Sequence, residues 1–396
     1  MNLSSKKHFI YTLTILAILG IAGFLVYRYM LPALTVRPSP AGQPVTGRIP
    51  PPARPGVPPT PEEPGAAPVK IPPSEIGAEE QLLRITDFPV VSPSFNKAGD
   101  KILFYKKDGG DLYSAKTDGR TLEKISNLTV IGLFDALWSP ERDRAVVRYL
   151  DQETIKAFLH VGTSTARALP SDIAALAWSP SGASLAYLVP EELRARLISI
   201  DRAGAQTKTI AEVPLRDAAI NWITDDKIAF ETRPSGLAEG FVFTFSRKGG
   251  NFTRILGPLF GLATLWSPDG SKILTSRTAR GGTQLQLVVT DAAGRGIWQT
   301  KLGTLPEKCA WLDSQEFYCA APSQILPSQL WPDDYLRGEI VSTDHLILAR
   351  ADTQRILDIA LNGSFDVSAP LISKDKKYLF FVNRKDGTLW RLKLNP

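Results

Sequence analysis

One pattern recurs along this chain and constrains its fold more than any other feature: an apolar strand ending in an aromatic residue, a tight turn, and a second apolar strand. The best copies carry Trp-Ser-Pro at the turn, three copies are degenerate, and one lacks the aromatic residue. In chain order the copies are 93–105, 136–149, 176–188, 220–232, 264–276, 309–321 and 371–382. In the copy at 264–276, Ser267, Pro268 and Gly270 occupy the turn positions that a type I turn prefers for these residue types. Each copy is therefore predicted to be a β-hairpin.

The aromatic anchors are evenly spaced. From Phe95 the position recurs at Trp138, Trp178, Trp222, Trp266 and Trp311, in steps of 43, 40, 44, 44 and 45 residues. A period of about 40–45 residues is that of a four-stranded propeller blade. We therefore predict an all-β fold, a seven-bladed β-propeller over residues 74–396, with six or eight blades as the alternatives. The Trp residues should pack between adjacent blades, and an aromatic ligand cage is the other interpretation.

Two further signals complete this architecture. Gly-containing pairs follow the anchors, at Asp118-Gly119, Ala203-Gly204, Gly249-Gly250 and Ala293-Gly294, and predict the hairpin between the third and fourth strands. The last repeat shows three strands, so its fourth should come from residues 81–88. That pairing would close the ring and leave no exposed sheet edge between the chain ends.

The first 73 residues follow a different pattern. After a short tail (1–8), residues 9–27 contain no charge, which is long enough for a helix that crosses the hydrocarbon core. We predict a transmembrane helix over 9–31; a cleaved signal peptide is the alternative, although its apolar region is usually shorter. Residues 32–73 hold 15 of the 31 prolines and predict a disordered, extended tether.

Charge bears on orientation and on partners. Lys6 and Lys7 precede the span, which favours a cytoplasmic N-terminus and a propeller outside the cytoplasm. Of the net charge of +6, +5 falls in residues 1–73. The propeller is thus nearly neutral, which argues against nucleic-acid binding.

The two cysteines flank one predicted hairpin. If Trp311 faces Phe317 across the turn, Cys309 faces Cys319 on the same side of the sheet. A cross-strand disulfide would need Cα atoms within about 7 Å and would fit an oxidising compartment. Buried unpaired thiols remain the alternative.

Motifs of catalysis are scarce. The histidines are His8, His160 and His345, and there is no nucleophile elbow, phosphate-binding glycine loop, zinc spacing or EF-hand loop. From the sequence we therefore expect no enzyme activity, no catalytic residue, no metal and no cofactor.

One long insertion interrupts the sixth repeat. Residues 322–341 (PSQILPSQLWPDDYLRGEIV) are far longer than the equivalent links. Loops on a rigid scaffold often carry binding residues, and aromatic residues with arginine are typical interface anchors. The candidate binding residues are Leu330, Trp331, Asp333, Asp334, Tyr335 and Arg337. The alternative is a loop that packs its own Trp back onto the blade.

The repeats WSPSGASLAYL and WSPDGSKILTS, with DLYSAKTDGRTLEKIS at 111–126, resemble the blade repeats of TolB-like or WD40-like β-propellers. The resemblance covers about residues 80–396 and implies protein–protein interaction in the cell envelope. We therefore expect a single-pass, membrane-anchored, periplasmic or extracytoplasmic interaction scaffold with an envelope protein as partner. The alternatives are a propeller that binds a glycan or another small ligand, and a propeller enzyme of the lyase or dehydrogenase type.

Overall fold

The computed structural model describes residues 81–162 and 165–394. The predicted tail at 1–8, the membrane span at 9–31 and the tether at 32–73 lie outside the described residues. Within the described part of the chain, no helix is both long and apolar enough to cross a membrane.

The described residues form antiparallel strands that follow one another in simple up-and-down order. The first strand is β1 (Leu82–Arg84). Sheet 1 contains β2 (Val90–Phe95), β3 (Lys101–Lys106), β4 (Leu112–Lys116) and β5 (Leu122–Lys124). Sheet 2 contains β6 (Leu133–Trp138), β7 (Arg144–Asp151), β8 (Thr154–Val161) and β9 (Thr165–Ala168). Sheet 3 contains β10 (Ala175–Trp178), β11 (Ser184–Pro190), β12 (Ala195–Asp201) and β13 (Thr207–Val213).

The second half of the chain continues this order. Sheet 4 contains β14 (Ala218–Trp222), β15 (Lys227–Thr232), β16 (Glu239–Ser246), β17 (Phe252–Trp266), β18 (Lys272–Thr278), β19 (Gln286–Asp291) and β20 (Gly296–Gln299). A 3-10 turn (Pro306–Lys308) leads into sheet 5, which contains β21 (Cys309–Trp311), β22 (Glu316–Pro322), β23 (Asp344–Arg350) and β24 (Arg355–Ile359). Sheet 6 contains β25 (Val367–Ile372), β26 (Tyr378–Asn383), β27 (Thr388–Lys393) and β1. The short helix α1 (Asp333–Arg337) lies between β22 and β23.

The Ser-Pro turns form as predicted. The amide of Gly270 donates to the carbonyl oxygen of Ser267 at 2.9 Å, and the Ser267 hydroxyl accepts a hydrogen bond from the amide of Lys272 at 2.9 Å. Gly270 has a φ of 69°, which glycine adopts without the steric cost that a Cβ would add. The serine hydroxyl thus satisfies an amide at the start of the second strand. Because these contacts join residues close in sequence, the turn can be recognised from the sequence alone.

The predicted closure is confirmed. Strand β1 pairs with β27, with Leu82 opposite Leu392 and Arg84 opposite Trp390. The Thr86 hydroxyl accepts a hydrogen bond from the amide of Leu389 at 3.0 Å. The beginning and the end of the described chain therefore share one sheet, and β1 supplies its fourth strand.

The prediction of seven separate sheets needs a correction. Strand β17 is 15 residues long; it pairs with β16 from Phe252 to Phe260 and with β18 from Phe260 to Trp266. The chain leaves one four-stranded unit and enters the next without an intervening loop. The two units therefore share β17 and merge into one seven-stranded sheet.

The hydrophobic core lies between neighbouring sheets, and the repeated Trp residues pack there as predicted. Three of their indole N–H groups donate to a backbone carbonyl of the preceding unit: Trp138 to Ser92 at 2.8 Å, Trp178 to Leu137 at 3.1 Å and Trp311 to Leu265 at 3.0 Å. Each of these three tryptophans thereby joins two units through one polar contact and a large apolar surface.

The antiparallel order sorts the connections into two groups. The turns from first to second strand and from third to fourth strand lie at one end of each unit, which we call the turn end. The second-to-third connections and the links to the next unit lie at the opposite end, which we call the loop end. The insertion at 322–341 belongs to the loop end.

Candidate functional site

The insertion folds back onto the protein. Trp331 and Tyr335 are each 1% exposed, and their rings stack with centroids 5.2 Å apart. They form a small apolar cluster with Leu285, Leu305 and Ile340. This is the arrangement expected for a loop that packs its own Trp, so neither ring is available to a partner in this conformation.

Backbone and carboxylate contacts fasten the insertion to sheet 4. Asp333 accepts hydrogen bonds from the Ser235 hydroxyl at 2.8 Å and from the Gly236 amide at 2.7 Å. The Trp331 amide donates to the Gly282 carbonyl at 3.1 Å. A Cβ at Gly236 would lie 2.5 Å from both the Gly282 Cα and the Trp331 carbonyl oxygen. Glycine at 236 is therefore what lets the insertion approach so closely.

Beneath the insertion lies a buried charge cluster. The Lys308 side chain is fully buried, and its Nζ lies 2.6 Å from Asp366 and 2.8 Å from Asp344. The same nitrogen lies 3.1 Å from the Tyr335 hydroxyl and 3.2 Å from the Ser342 hydroxyl. Burial opposes ionisation of Asp366, but Lys308 and hydrogen bonds from Ser342 and Tyr335 outweigh it, so the pKa of Asp366 lies below its ordinary value. One cation thus holds the 3-10 turn, the insertion and the entry to sheet 6 together.

Arg384 completes this cluster. Its guanidinium carbon lies 3.9 Å from the centroid of the Tyr335 ring, a cation–π geometry, and it donates to the carbonyl oxygens of Tyr335 and Ile340. Burial raises the pKa of Tyr335, so its hydroxyl stays protonated and can donate to Asp366 at 3.0 Å. The cluster holds the insertion in place.

The six predicted binding residues are therefore divided by the structure. Trp331 and Tyr335 are buried, Asp333 is occupied by sheet 4, and Leu330 is half-buried. Asp334 accepts from the Leu330 amide and pairs with Arg337, whose side chain is 53% exposed. Of the six, Arg337 is the residue most accessible to a partner. Whether the insertion binds one stays a prediction.

A pocket of about 270 Å³ opens between the first strands of sheets 2, 3 and 4. Two acid–base pairs line it: Asp135 with Arg148, and Asp217 with Arg233, each at 2.5 Å. The second pair is largely exposed, and such pairs separate at little cost. The pocket therefore offers the Arg233 guanidinium to a ligand with anionic oxygens, whereas Arg148 stays bonded to Asp135 through two of its nitrogens.

An exposed apolar patch lies at the loop end of sheet 2, next to this pocket. Its members are Ile131, Phe134, Leu150 and Ile155, which are 83%, 42%, 48% and 48% exposed. Leu150 and Ile155 face each other across β7 and β8. The Leu150 amide donates to the Gly132 carbonyl at 2.9 Å, which brings Ile131 alongside. The Arg148 guanidinium lies 5.4 Å from the Phe134 ring, so a residue that lines the pocket also contacts the patch.

Gly132 is needed for this patch. Its φ is 76°, and a Cβ there would lie 2.4 Å from the Leu150 carbonyl oxygen. Glycine is therefore the residue that allows the chain to enter sheet 2 with Ile131 pointing away from the core.

The cysteines and the described histidines have structural settings. The structure joins Cys309 and Cys319 in a disulfide across β21 and β22. His160 lies on β8 with its Nδ1 2.8 Å from the Tyr105 hydroxyl, and burial lowers the pKa of His160. His345 is exposed on β23. The two histidines lie on different sheets.

Sequence reasoning missed both the charge cluster and the apolar patch. Lys308, Asp344 and Asp366 each precede or begin a strand, and a charged residue at that place is unremarkable in a single sequence. Ile131 and Phe134 lie on either side of Gly132, where apolar residues at the start of a strand are common in β-proteins. One signal could have found the patch. The apolar run at 130–134 begins before β6 starts at Leu133, so part of it lies outside the strand that would bury it.

No protein-family model matches this chain, and no curated protein matches it. Solved structures do. An oligogalacturonate lyase in complex with manganese aligns with a TM-score of 0.58 at 13% identity, over 79% of this chain and 93% of that chain. The C-terminal WD40 domain of Sif2 aligns with a TM-score of 0.51 at 11% identity, over 81% and 100%. TolB from Acinetobacter baumannii aligns with a TM-score of 0.44 at 15% identity, over 69% and 63%.

The fold is a β-propeller. The propeller fold that the resemblance of the repeats to TolB-like and WD40-like blades implied is thus confirmed. At these identities the likeness establishes the arrangement of strands and leaves activity and partners open.

The expectation that the chain is not an enzyme is corrected by the same comparison, because an enzyme, an oligogalacturonate lyase, has this fold. The sequence argument considered motifs with fixed local spacing. On a propeller, residues that meet at one end of the ring come from separate sheets and show no such spacing. Missing motifs therefore do not exclude catalysis on this fold.

The manganese named with that lyase has no matching donor set here. The described residues hold no group of three or more His, Cys, Asp or Glu side chains that could bind a metal ion. The donor set does not fit, and we derive no step through a metal.

Proposed function

We propose that this protein is a membrane-anchored, extracytoplasmic propeller of seven blades that binds a partner protein in the cell envelope through its loop end. Counting the two units of sheet 4 separately gives the seven blades. The anchor is the apolar segment at 9–31, and residues 32–73 would hold the propeller away from the bilayer. The Cys309–Cys319 disulfide supports an oxidising compartment.

The observation that carries the proposal is the distribution of exposed apolar side chains. Of the twelve large apolar residues that are most exposed in the described chain, nine lie at the loop end and three on outer strands. Four of the nine form the contiguous patch on sheet 2. Clustered exposed apolar residues beside polar groups are typical of protein-binding surfaces, and the aromatic ring with Arg148 is the kind of pair that forms energetic anchors.

The test is crosslinking and affinity capture from native envelopes with the full-length protein. Replacing Ile131 and Ile155 by Lys should abolish capture of a specific partner. The matched control replaces Ile356 and Leu357 by Lys, since these residues are similarly exposed on the outer strand β24. Capture that survives in the Ile131/Ile155 variant, or is lost equally in the control, would contradict a role for the patch.

The insertion is tested separately by Arg337→Glu, which reverses an exposed charge and leaves the buried cluster intact. Deleting the whole insertion would remove Tyr335 from Lys308 and confuse binding with stability. Loss of capture by the Arg337 variant alone would assign the contact to the insertion instead of the patch.

A second candidate is binding or cleavage of an acidic oligosaccharide in the pocket that Arg148 and Arg233 line. The fold shared with an oligogalacturonate lyase and the exposed Arg233 guanidinium in this pocket favour this candidate. Oligogalacturonate is the natural first probe, with binding followed by calorimetry and cleavage by the ultraviolet absorbance of an unsaturated product. Binding that is lost in Arg233→Gln and kept in Arg280→Gln would support it.

A further inference from the structure

The two units of sheet 4 enclose a second pocket, of about 490 Å³. It lies between the first half of β17 and the strands β18, β19 and β20. Its volume is in the range of small-molecule sites. It lies apart from the patch and the first pocket, so an occupant here does not depend on the proposed function.

The pocket exists because these two units are poorly filled. The core between them contains five buried apolar residues, whereas the cores between the other neighbouring units contain eight to thirteen. The continuous strand β17 ties the units together, and register shifts in its pairing with β16 bend its first half. Apolar side chains such as Leu256 and Leu259 then form a wall with open space beside it.

Two buried hydroxyl groups in this pocket have no partner. Thr275 and Thr290 both line it and are 2% and 4% exposed. Neither hydroxyl oxygen has a hydrogen-bond partner among the described residues. A buried polar group without a partner is destabilising, and an occupant of the pocket that reached these two hydroxyls would remove that cost.

The charge lining the pocket is positive. Arg277 is its one charged lining residue, and none of the lining residues is acidic. The Arg277 guanidinium donates to the Gln286 side-chain oxygen at 3.0 and 2.6 Å, and within the described chain it forms no ion pair. A guanidinium with unused donors beside an apolar wall is suited to a carboxylate.

We propose that this pocket binds a small amphiphilic carboxylate, with the carboxylate on Arg277 and the apolar chain along β17 toward Thr290. Thr290 pairs with Ile273, four residues before Arg277 on β18, which places the two ends of the site roughly 13 Å apart at the rise of a strand. The oxygens of Thr275 and Thr290 have less than 1 Å² of accessible surface, so their hydroxyls would meet oxygen substituents on the chain after these side chains turn toward the pocket.

The experiment uses the full-length protein in lipid nanodiscs, titrated with octanoate in a calorimeter. Octan-1-ol, which has a similar chain and no charge, is the control ligand, and empty nanodiscs measure partition into lipid. Arg277→Gln should weaken octanoate binding at least tenfold and leave octan-1-ol unaffected. The matched control Arg280→Gln changes a nearby exposed arginine outside the pocket and should bind octanoate as the unchanged protein does.

Thr275→Val with Thr290→Val separates a binding role from a structural one. Because the hydroxyls lack partners, the double variant should melt at a higher temperature than the unchanged protein, while its affinity for 3-hydroxyoctanoate falls. A lower melting temperature with unchanged affinity would overturn the role of the hydroxyls. Absence of octanoate binding by the folded protein, or equal binding by Arg277→Gln, would overturn the site.

Discussion

Replacing Lys308 by Met should destabilise the propeller by about 3–5 kcal/mol. The Lys308 side chain is fully buried with Asp366 at 2.6 Å and Asp344 at 2.8 Å. At an effective dielectric constant of about 20, each such pair is worth about 6 kcal/mol before the cost of desolvation. Removing the cation leaves two buried carboxylates without a counter-ion, and measured losses in that situation are about 3–5 kcal/mol.

The variant should also reverse the pH dependence of this site. In the unchanged protein the pKa of Asp366 is lowered, so its contribution is present above the ordinary aspartate pKa and is lost as the pH falls through the lowered value. Without Lys308, burial and the neighbouring carboxylate should raise that pKa. The variant then gains stability as the pH falls, and the difference between the two proteins shrinks.

Urea unfolding at pH 7.5 and pH 5 measures both effects. The control is Arg194→Met, which breaks a pair whose side chains are both 56% exposed and should cost less than about 1 kcal/mol. Adding Asp366→Asn to the Lys308 variant should restore part of the loss, because one uncompensated charge is removed. A Lys308 variant as stable as the Arg194 variant, or one that weakens further at pH 5, would refute the reasoning.

Three further predictions concern closure, a buried acid and the disulfide. Deleting residues 81–88 should lower the melting temperature by roughly 10 °C or more, because sheet 6 loses β1 and buried Ile85; an unchanged calorimetric melt would contradict closure by this strand. Burial raises the pKa of Glu231 to about 7 despite its hydrogen bonds from Thr264. The free energy of unfolding should therefore decrease by up to about 3 kcal/mol as the pH rises from about 4.5 to 7. In urea unfolding, Glu231→Gln should remove this pH dependence. Replacing Cys309 and Cys319 by Ala should cost about 2–3 kcal/mol, since the bond closes a short segment; equal stability of oxidised and reduced protein in the same assay would argue against it.

Much of the fold could be predicted because its signals are local. The contacts between Ser267, Gly270 and Lys272 lie within six residues, so one sequence displays the turn and its repetition displays the blade. The spacing of the Trp anchors reports the period for the same reason. Closure followed from counting strands, since the last repeat lacked its fourth.

The sites could not be predicted in the same way. Lys308 meets Asp366 across 58 positions and Asp333 meets Ser235 across 98; neither residue type is unusual at its place in the sequence. The insertion was visible by its length, but length does not say whether its aromatic rings point outward or inward. In this structure the rings point inward, because the Tyr335 hydroxyl contacts Lys308 and Asp366 in the buried charge cluster.

The breaks in the repeat are where we expect function, and a physical argument supports this. A repeated blade is a packing solution, and where it is followed faithfully the apolar side chains of neighbouring sheets fill most of the space between them. It fails at the insertion over sheet 5, at Gly132 where the chain enters sheet 2, and along β17 where two units share a strand. Two of these places carry what a faithful repeat would remove: exposed apolar side chains at the first strand of sheet 2, and unpaired buried hydroxyls beside β17. Neither feature contributes to the packing of the ring, and this is why we expect a partner at the first place and a ligand at the second.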